Sequence, residues 1–460
     1  MKKLKLIVFI ILLRMIGASV IPCTHIMAQS ARVPESLRGT EIVIGNWFYD
    51  YDTNTFQPRD ESEKRVLDWR IKIQRENGFT MRERNIANWN EMLRLADTSI
   101  RSGTPAATVF LLQGNWAMSL ITQGLAYPVS ESKVVNLRNP RPVERGQKPP
   151  EWNPLTNDIY NFGGKSYAFS VGVNLYNAQV VFFNKRLFRE AGLDPNLPYD
   201  MQKNGTWTWG NFIDICRKLT RDTNNDGIID TYALPADLST DILDAVVSSN
   251  GAQYVRRDAR GRFVNATGRP EFLEALLFTI RLKNENIMKP KPERSDWNWY
   301  KAEFTGGNVA MLIDESYVWN ELRNMRDDWG MVLFPKGSRS RTYRVFTREN
   351  VMVIPSTFSP ADVDRIMYAL TLWYTPQTNP NDWKSGMYDH FRDSRAVDET
   401  LELIRDTRLH IHRNYTFIPG MNRGHIAWEM WHHEGDPAQL IERVAENWNS
   451  LITDVNDALF

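Results

Sequence analysis

The stretch YNAQVVFFNKRLFREAGLDPNLPYDMQKNGTWTWGNFIDICRKLTRDTNNDGIIDTYAL, residues 176–234, decides the fold of this chain. Its residues 179–183 include two Val and two Phe, which predicts a buried strand. A short helix follows and is closed by Gly192, the residue type expected just past a helix end. Thr208 caps a second helix whose apolar residues lie on one stripe. A new strand then begins at Thr231, so strands and helices alternate, as in an α/β protein.

The residues before this stretch continue the alternation. Residues 40–46 (TEIVIGN) and 106–112 predict buried strands, residues 80–85 predict another, and residues 62–77 predict a helix with a charged face. Alternation of this kind predicts a mainly parallel sheet with helices on both faces.

The chain carries an ordered set of motifs that is typical of one protein family. In chain order the motifs are Gly-Gly-Lys-Ser-Tyr at 163–167, Phe-Asn-Lys at 183–185, Ala-Gly-Leu at 191–193, Thr-Trp at 208–209, Asp-Gly at 226–227 and Phe-Pro-Lys-Gly at 334–337. In this order and spacing they resemble family 1 of the extracellular solute-binding proteins, the sugar-capturing subunits of ABC importers. Ala106 departs from the family pattern, which has Asp there. The resemblance runs from about residue 40 to the C-terminus.

The resemblance implies a two-lobe fold of the periplasmic-binding-protein type. Each lobe is expected to be a mainly parallel sheet flanked by helices, with the ligand cleft between the lobes. We expect lobe 1 over residues 40–168, lobe 2 over 172–345, a return to lobe 1 over 346–390, and C-terminal helices that pack on lobe 2 over 391–460. The expected partners are a carbohydrate and the membrane permease subunits of an ABC transporter, and we expect a monomer.

The N-terminus has the pattern of a secretory signal peptide, predicted over residues 1–28. Three lysines precede an apolar run at residues 6–13, which is too short to span a membrane dependably. Lipoprotein-type cleavage before Cys23 would anchor the protein at the outer face of the cell membrane. Cleavage after Ala28 would release a free protein into the periplasm.

Composition narrows the possible functions. The formal net charge is +1, so no bulk charge indicates binding to nucleic acid. The two cysteines, Cys23 and Cys216, cannot form a disulfide framework if Cys23 is lipidated or removed. Trp is frequent, with 16 residues, and Trp rings can fill a core or stack on the C–H faces of a sugar.

Site residues can be nominated by their position at strand ends, because ligands of open α/β sheets bind beyond the carboxyl ends of the strands. A sugar needs flat rings for stacking and short polar groups for hydrogen bonds. With the family pattern, this predicts an oligosaccharide site formed by Trp47, Asp50, Gln113, Asn115, Asn174, Tyr176, Asp237, Asp314, Tyr317, Trp319 and Trp428.

Two segments could hold a metal. Residues 222–230 (DTNNDGIID) match the first half of a calcium loop, with candidate ligands Asp222, Asn224, Asp226 and Asp230. The twelfth position is Ala233 instead of the bidentate Glu, which favours a structural turn over structural calcium. Six of the seven histidines, His410 and His412 among them, follow residue 389, but no compact zinc spacing occurs. No other cofactor is expected.

Two other functions remain open from the sequence. A secreted carbohydrate hydrolase would need two carboxylates that flank the scissile bond. No G-x-S-x-G, P-loop or G-x-G-x-x-G motif is present, so we predict a protein that is not an enzyme. A sugar-sensing ectodomain that signals through a membrane receptor would have the same sequence features as an importer subunit. Glycerol phosphates and peptides also remain possible ligands.

Overall fold

The structure is a computed structural model that describes residues 36–143, 146–236, 240–347, 350–377, 383–433 and 435–460. The predicted signal peptide with Cys23, and the predicted ligand-binding Asp237, lie outside the described residues. None of the described helices is both long and apolar enough to cross a bilayer.

Short strands and helices alternate along the chain. The strands are β1 (Glu41–Asn46), β2 (Thr80–Asn85), β3 (Val109–Gln113), β4 (Asn161–Phe162), β5 (Lys165–Ser166), β6 (Gln179–Asn184), β7 (Leu234–Pro235), β8 (Val255–Arg257), β9 (Phe263–Asn265), β10 (Met288–Lys289), β11 (Met311–Glu315), β12 (Trp329–Leu333), β13 (Val345–Thr347), β14 (Asn350–Val353) and β15 (His410–His412). The helices are α1 (Glu61–Asn77), α2 (Met92–Arg101), α3 (Gly114–Thr122), α4 (Pro154–Ile159), α5 (Lys185–Glu190), α6 (Leu197–Lys203), α7 (Trp209–Leu219), α8 (Thr240–Ser249), α9 (Pro270–Asn284), α10 (Trp299–Thr305), α11 (Pro360–Trp373), α12 (Trp383–Tyr388), α13 (Glu402–Arg405), α14 (Arg423–His432) and α15 (Pro437–Leu459).

The first sheet has the strand order β14-β3-β1-β2. β1 pairs in parallel with both β2 and β3, so the carboxyl ends of these three strands meet at one edge. β14 joins the sheet from far along the chain and runs antiparallel to β3, with Asn350 opposite Gln113. This edge is the first wall of the candidate site.

The second sheet is built around β6, the strand predicted at residues 179–183, and has the order β11-β6-β12. All six residues of β6 are buried. β6 pairs antiparallel with both neighbours, whereas the sequence predicted a mainly parallel sheet. The apolar run of β6 indicated burial on both faces but carried no information on the direction of its neighbours. Parallel pairing occurs beside this sheet, between β7 and β10 and at the bridge from Tyr232 to Val309.

Close packing in the second sheet depends on one glycine. Gly330 of β12 lies opposite Phe183 of β6. A Cβ atom added at Gly330 would lie 2.2 Å from Cζ of the Phe183 ring, so a side chain there would displace this buried ring.

The buried side chain of Asn456 joins the C-terminal helix α15 to the β8–β9 hairpin. Asn456 Nδ2 donates to the carbonyl oxygen of Phe263 at 2.8 Å, and Asn456 Oδ1 accepts from the Phe263 backbone N–H at 2.8 Å. The amide therefore takes the place of a neighbouring strand beside β9.

Candidate functional site

Three tryptophans meet at the carboxyl edge of the first sheet. Trp47 follows β1, Trp89 follows β2, and Trp116 lies in the first turn of α3, directly after β3. Their ring centroids are 5.1 Å (Trp47–Trp116), 5.8 Å (Trp47–Trp89) and 4.8 Å (Trp89–Trp116) apart, all in edge-to-face geometry. Edge-to-face contacts of this kind are favourable beyond the area they bury. Trp89 keeps 48% of its surface exposed, so this tryptophan cluster offers an aromatic face to a ligand.

The loop that carries Trp47 is fixed by a fully buried asparagine. Asn46 Oδ1 accepts hydrogen bonds from the backbone N–H groups of Phe48 and Tyr49, both at 2.9 Å. Asn46 Nδ2 donates to the Tyr49 carbonyl oxygen at 2.9 Å. Asp50, a predicted ligand residue, accepts from the backbone N–H of Asn85 at 3.2 Å and so ties this loop to the end of β2.

The two polar residues predicted at the end of β3 differ in accessibility. Gln113 is buried at the junction of β3 and α3. Asn115 is exposed in the first turn of α3, beside Trp116. Of these two residues, Asn115 is the one that a ligand at this edge can reach.

At the second sheet, β11 ends in two buried acidic residues, Asp314 and Glu315. Asp314 Oδ1 accepts from the Glu315 backbone N–H at 2.6 Å. Asp314 Oδ2 lies 3.9 Å from Nζ of Lys301 and has no hydrogen-bond partner among the described residues. Burial raises the pKa of Asp314 to about 7, against the opposing effect of Lys301, and nearby Asp241 and Glu315 add to the rise. The carboxyl group therefore changes its protonation state near neutral pH.

Lys301 of α10 connects Asp314 to the 3₁₀ turn Ser316–Asn320. Its Nζ donates to Glu321 at 2.9 Å and to the Tyr317 hydroxyl at 3.4 Å, and lies 5.1 Å from the centroid of the Tyr317 ring. Burial and the neighbouring Asp314 raise the pKa of Tyr317, which is half-buried. Part of the Tyr317 side chain is therefore accessible to solvent at the end of β11.

A buried carboxylate organises the charged side chains of this second edge. Asp244 of α8 is fully buried and accepts from the hydroxyls of Tyr254 at 3.0 Å and Tyr415 at 2.7 Å, and from Arg423 Nε at 3.1 Å. Buried Arg413 lies 3.9 Å from Asp244, and its Nη2 lies 3.1 Å from Glu315 Oε1.

A less buried acid completes the group. Asp241, in the first turn of α8, lies 4.0 Å from Arg423 and is 40% exposed. We refer to Asp241, Asp244, Glu315, Arg413 and Arg423 as the ionic cluster.

The elements that carry the two clusters touch. Helix α3, with Asn115 and Trp116, packs against the 3₁₀ turn Asn414–Phe417, which begins one residue after Arg413. The Phe417 ring also lies 5.1 Å from the ring of Tyr160, the residue after α4. Elements next to both clusters are therefore in contact, and we take the two clusters as the two sides of one candidate site.

The structure places Tyr176 and Trp319 differently from each other, although the sequence predicts both as ligand residues. The Asn174 side chain accepts from the Tyr176 backbone N–H at 2.9 Å, and the Tyr176 side chain is 46% exposed. Trp319 is fully buried, between the rings of Tyr176 at 4.9 Å and Phe391 at 5.2 Å. Trp319 thus supports Tyr176 from behind and presents no face of its own. The sequence could not distinguish the two residues, because a single 3₁₀ turn is too short for a periodic pattern that shows which side chains are buried.

Trp428 lies apart from the two clusters. It is 58% exposed on α14, more than one turn beyond Arg423, and its ring packs on His432 at a centroid distance of 4.0 Å. Its assignment as a ligand residue stays a prediction.

The calcium-like loop has the geometry of a turn. Asp222 accepts from the backbone N–H groups of Asn224, Asn225 and Gly227, and Asp230 accepts from the backbone and hydroxyl of Thr223. These bonds use the carboxylate oxygens within the loop itself. In the part of the chain that the structure describes, no group of three or more His, Cys, Asp or Glu side chains could hold a metal ion.

Several residues of the clusters were absent from the predicted set, namely Trp89, Trp116, Asp241, Asp244, Glu315, Arg413 and Arg423. The strand-end rule already points to Trp116 after β3 and to Asp241 after β7, and it reaches Trp89 when it is applied to β2. Arg413 and Arg423 come from a C-terminal region of short elements, where no periodic pattern indicated which side chains turn inward.

The structure has two sheets, and each sheet has polar and aromatic side chains at one end. Elements next to these two ends contact each other, as expected for a two-lobe binding-protein fold. The family model for bacterial extracellular solute-binding proteins matches residues 86–355, more than half of the chain, and the chain belongs to this family. The resemblance and the two-lobe fold predicted from the sequence are thereby confirmed. No curated protein matches the chain in sequence.

Solved structures with the same fold include three bacterial binding proteins. The sugar-binding protein MalE from Xanthomonas citri is 13% identical, with 90% of this chain and 98% of that chain covered and a TM-score of 0.58. UgpB from Mycobacterium tuberculosis in complex with glycerophosphocholine is 14% identical, with 90% and 98% covered and a TM-score of 0.57. An ABC transporter solute-binding protein from Thermotoga lettingae bound with alpha-D-tagatose is 16% identical, with 90% and 100% covered and a TM-score of 0.56. At these identities the likeness establishes the fold.

Proposed function

We propose that this protein is the substrate-binding component of an ABC importer, which captures an extracellular oligosaccharide and delivers it to membrane permease subunits. The observation that carries the proposal is the tryptophan cluster, with the accessible ring of Trp89, on an element that contacts the ionic cluster. Of the three structures named above, one is described as sugar-binding and one contains tagatose, which supports a carbohydrate ligand.

The two clusters supply the two kinds of contact that a sugar requires. In the tryptophan cluster the ring of Trp89 offers an apolar face, and the exposed ring of Tyr176, which lies outside the clusters, offers another. A stacking contact contributes about 0.5–1.5 kcal/mol if it resembles a ring pair. Exposed Asp241 accepts a sugar hydroxyl in a charge-assisted hydrogen bond, worth about 1.5–3 kcal/mol. Three or four such contacts, less the cost of ordering the ligand, correspond to about micromolar affinity.

A buried donor at the second edge lacks a hydrogen-bond partner within the described part of the chain. Arg413 Nε is buried without a hydrogen-bond partner among the described residues, and such a donor costs free energy until it is paired. A hydroxyl group of a bound sugar would satisfy it. This gives a reason why a ligand with many hydroxyl groups fits here better than a purely apolar one.

The first experiment is a calorimetric and thermal-shift screen of mono- and oligosaccharides, with glycerophosphocholine and a short peptide as the alternative ligand classes. We expect one class of oligosaccharide to bind and to be recovered chemically intact. Cleavage of the sugar would instead support the hydrolase, and binding of glycerophosphocholine alone would replace the carbohydrate assignment.

We further propose that the chain is secreted and anchored at the outer face of the membrane through Cys23. The support is the signal-peptide pattern and the extracellular character of the family. Mass spectrometry of the protein from its native membrane should show a lipid on Cys23, and Cys23→Ala should release the protein into the soluble fraction. A mature chain that begins after Ala28 would contradict the anchor but leave the ligand proposal intact.

A further inference from the structure

A cavity of about 500 Å³ lies outside both clusters. Its walls come from the end of α4, from β8 and the residues before it, from Arg344 just ahead of β13, and from β15. None of the residues that line it belongs to the tryptophan cluster or the ionic cluster.

The cavity carries an excess of positive charge. Arg256, Arg257 and Arg344 line it, and none of the three pairs with a carboxylate among the described residues. The one acidic residue in the lining, Asp158, lies 2.6 Å from Arg138, which balances its charge. An anion is therefore the ligand class that this lining would attract.

The bonds of these arginines leave their charge uncompensated. Arg257 donates to the backbone oxygens of Ile159 and Asn161, and Arg344 donates to the backbone oxygen of Arg408 at 2.9 Å. Arg257 is packed between the rings of Phe162 and Phe263, with its guanidinium carbon 4.7 and 4.8 Å from their centroids. Burial lowers the pKa of Arg257 to about 10, so it keeps its charge at neutral pH. A partly buried charge without a counter-ion is costly, and a bound anion would remove that cost.

A second feature of the lining is an unpaired acceptor. His410 is only 9% exposed, and its Nε2 lies 2.6 Å from the carbonyl oxygen of Ile404, so Nε2 carries the proton and donates. Nδ1 then presents a lone pair, and it has no hydrogen-bond partner among the described residues. Burial lowers the pKa of His410 below its usual value, and it lowers the pKa of His412 to about 3, so both rings are neutral at physiological pH.

We propose that this cavity binds a small oxyanion that also carries a hydroxyl hydrogen, with hydrogen phosphate as the simplest example. The arginines donate to its charged oxygens, as guanidinium groups do to phosphate. The hydroxyl of the anion donates to His410 Nδ1. Sulfate has the same shape but no hydroxyl hydrogen at neutral pH. A comparison of phosphate with sulfate therefore separates the contribution of the arginines from that of His410.

The test is titration calorimetry on the full chain with inorganic phosphate and, separately, sulfate, at matched ionic strength. We expect phosphate to bind at least ten-fold more tightly than sulfate. Arg256→Gln and Arg344→Gln should each weaken phosphate binding by at least ten-fold. Arg260→Gln removes the same charge from the exposed tip of the same hairpin and should leave phosphate binding unchanged.

A third variant addresses the acceptor. His410→Gln keeps an N–H donor at the position that faces Ile404 and removes the lone pair of Nδ1. We expect this variant to bind phosphate and sulfate equally, with circular dichroism to confirm that it is folded. Absence of phosphate binding by the wild-type chain, or equal losses in Arg256→Gln and Arg260→Gln, would overturn the proposal. Loss of phosphate binding in Trp89→Ala would place the anion in the candidate site instead. Unchanged sugar binding in Arg256→Gln would show that the anion site and the sugar site are separate.

Discussion

The two edges of the candidate site are held together in different ways. At the first edge, Trp47, Trp89 and Trp116 contact each other edge to face, and Trp89 remains half exposed. At the second edge, charged side chains surround Asp244, which is fully buried. The aromatic rings need no particular partner, whereas each buried charge needs its counter-charge.

This difference separates affinity from stability. Removal of a half-exposed ring such as Trp89 deletes surface that a ligand can contact, together with two ring contacts that need no specific partner. Removal of a buried charge leaves its former partners unpaired in a poorly solvated place, which destabilises the fold before any ligand arrives. Substitutions at the two edges should therefore differ in kind as well as in size.

The largest effect should come from Asp244→Ala. This change leaves Arg413 and Arg423 without their shared carboxylate, and we expect a loss of about 3–5 kcal/mol in the free energy of unfolding. Urea denaturation measures it. Asp457→Ala is the matched control, because Asp457 pairs with Arg262 at 3.4 Å on the exposed surface and should cost less than about 1 kcal/mol. Equal losses in the two variants would contradict the stabilising role of Asp244 in the ionic cluster.

A comparable loss should follow Trp319→Ala, and it corrects an expectation from the sequence. As a ligand residue at the surface, Trp319 would be replaceable without harm to the fold. Because the structure buries it fully, we expect a destabilisation of about 3–5 kcal/mol. Tyr176→Ala, by contrast, should lower sugar affinity with a smaller change in stability. If Trp319→Ala unfolded at the same urea concentration as wild type, Trp319 would not be a core residue.

Each of the two sheets has one buried carboxyl group whose titration should make the stability of the protein depend on pH. Burial raises the pKa of Asp314 and that of Glu83 to about 7. Because each folded-state pKa lies above the unfolded value of about 4, the folded state binds the proton more tightly. Stability should then fall as the pH rises from about 4 to about 7, by up to about 1.4 kcal/mol per unit for each group, and change no further above that range.

The variants Asp314→Asn and Glu83→Gln should each remove one of these contributions, as measured by urea denaturation between pH 5 and pH 8. Only Asp314→Asn should also alter the pH dependence of sugar binding, since Glu83 lies beside Tyr51 and Trp373, away from the two clusters. If both variants changed the pH dependence of binding to the same extent, the titration of Asp314 would not act on the ligand site directly.

The smallest change in free energy should come from Trp89→Ala. We expect sugar affinity to fall by roughly ten-fold, about 1.4 kcal/mol. Stability should fall by about 1–2 kcal/mol, because the ring contacts to Trp47 and Trp116 are lost as well. Leu277→Ala removes a similarly exposed apolar side chain from α9 and should leave affinity unchanged. Calorimetry with the oligosaccharide found in the screen distinguishes them; equal affinities would remove the tryptophan cluster from the site.

The sequence allowed the local elements around β6 to be predicted well. The apolar run at residues 179–183 became β6, Gly192 follows α5 with a φ of +72°, and the Thr208 side chain caps α7. These features depend on neighbours in the chain, so local patterns specify them. The antiparallel pairing of β6 depends on strands more than 120 residues away, which a local pattern does not contain.

The site was only partly predictable for the same reason. Trp47 and Asn115 follow strands whose ends are readable, and the structure places both at the first edge. The ionic cluster joins Asp244 to Tyr415 and Arg423, which are 171 and 179 positions away in the chain. Such a cluster exists only after the chain has folded, and a local sequence pattern does not pair residues that lie this far apart.

The buried side chain of Asn46 has a consequence for the thermodynamics of capture. Its three hydrogen bonds fix the Trp47 loop in the free protein, so this loop has little conformational entropy left to lose when a ligand arrives. Binding at the first edge should then resemble docking onto a rigid surface, with a fast association rate and a heat of binding that reflects contacts more than loop ordering.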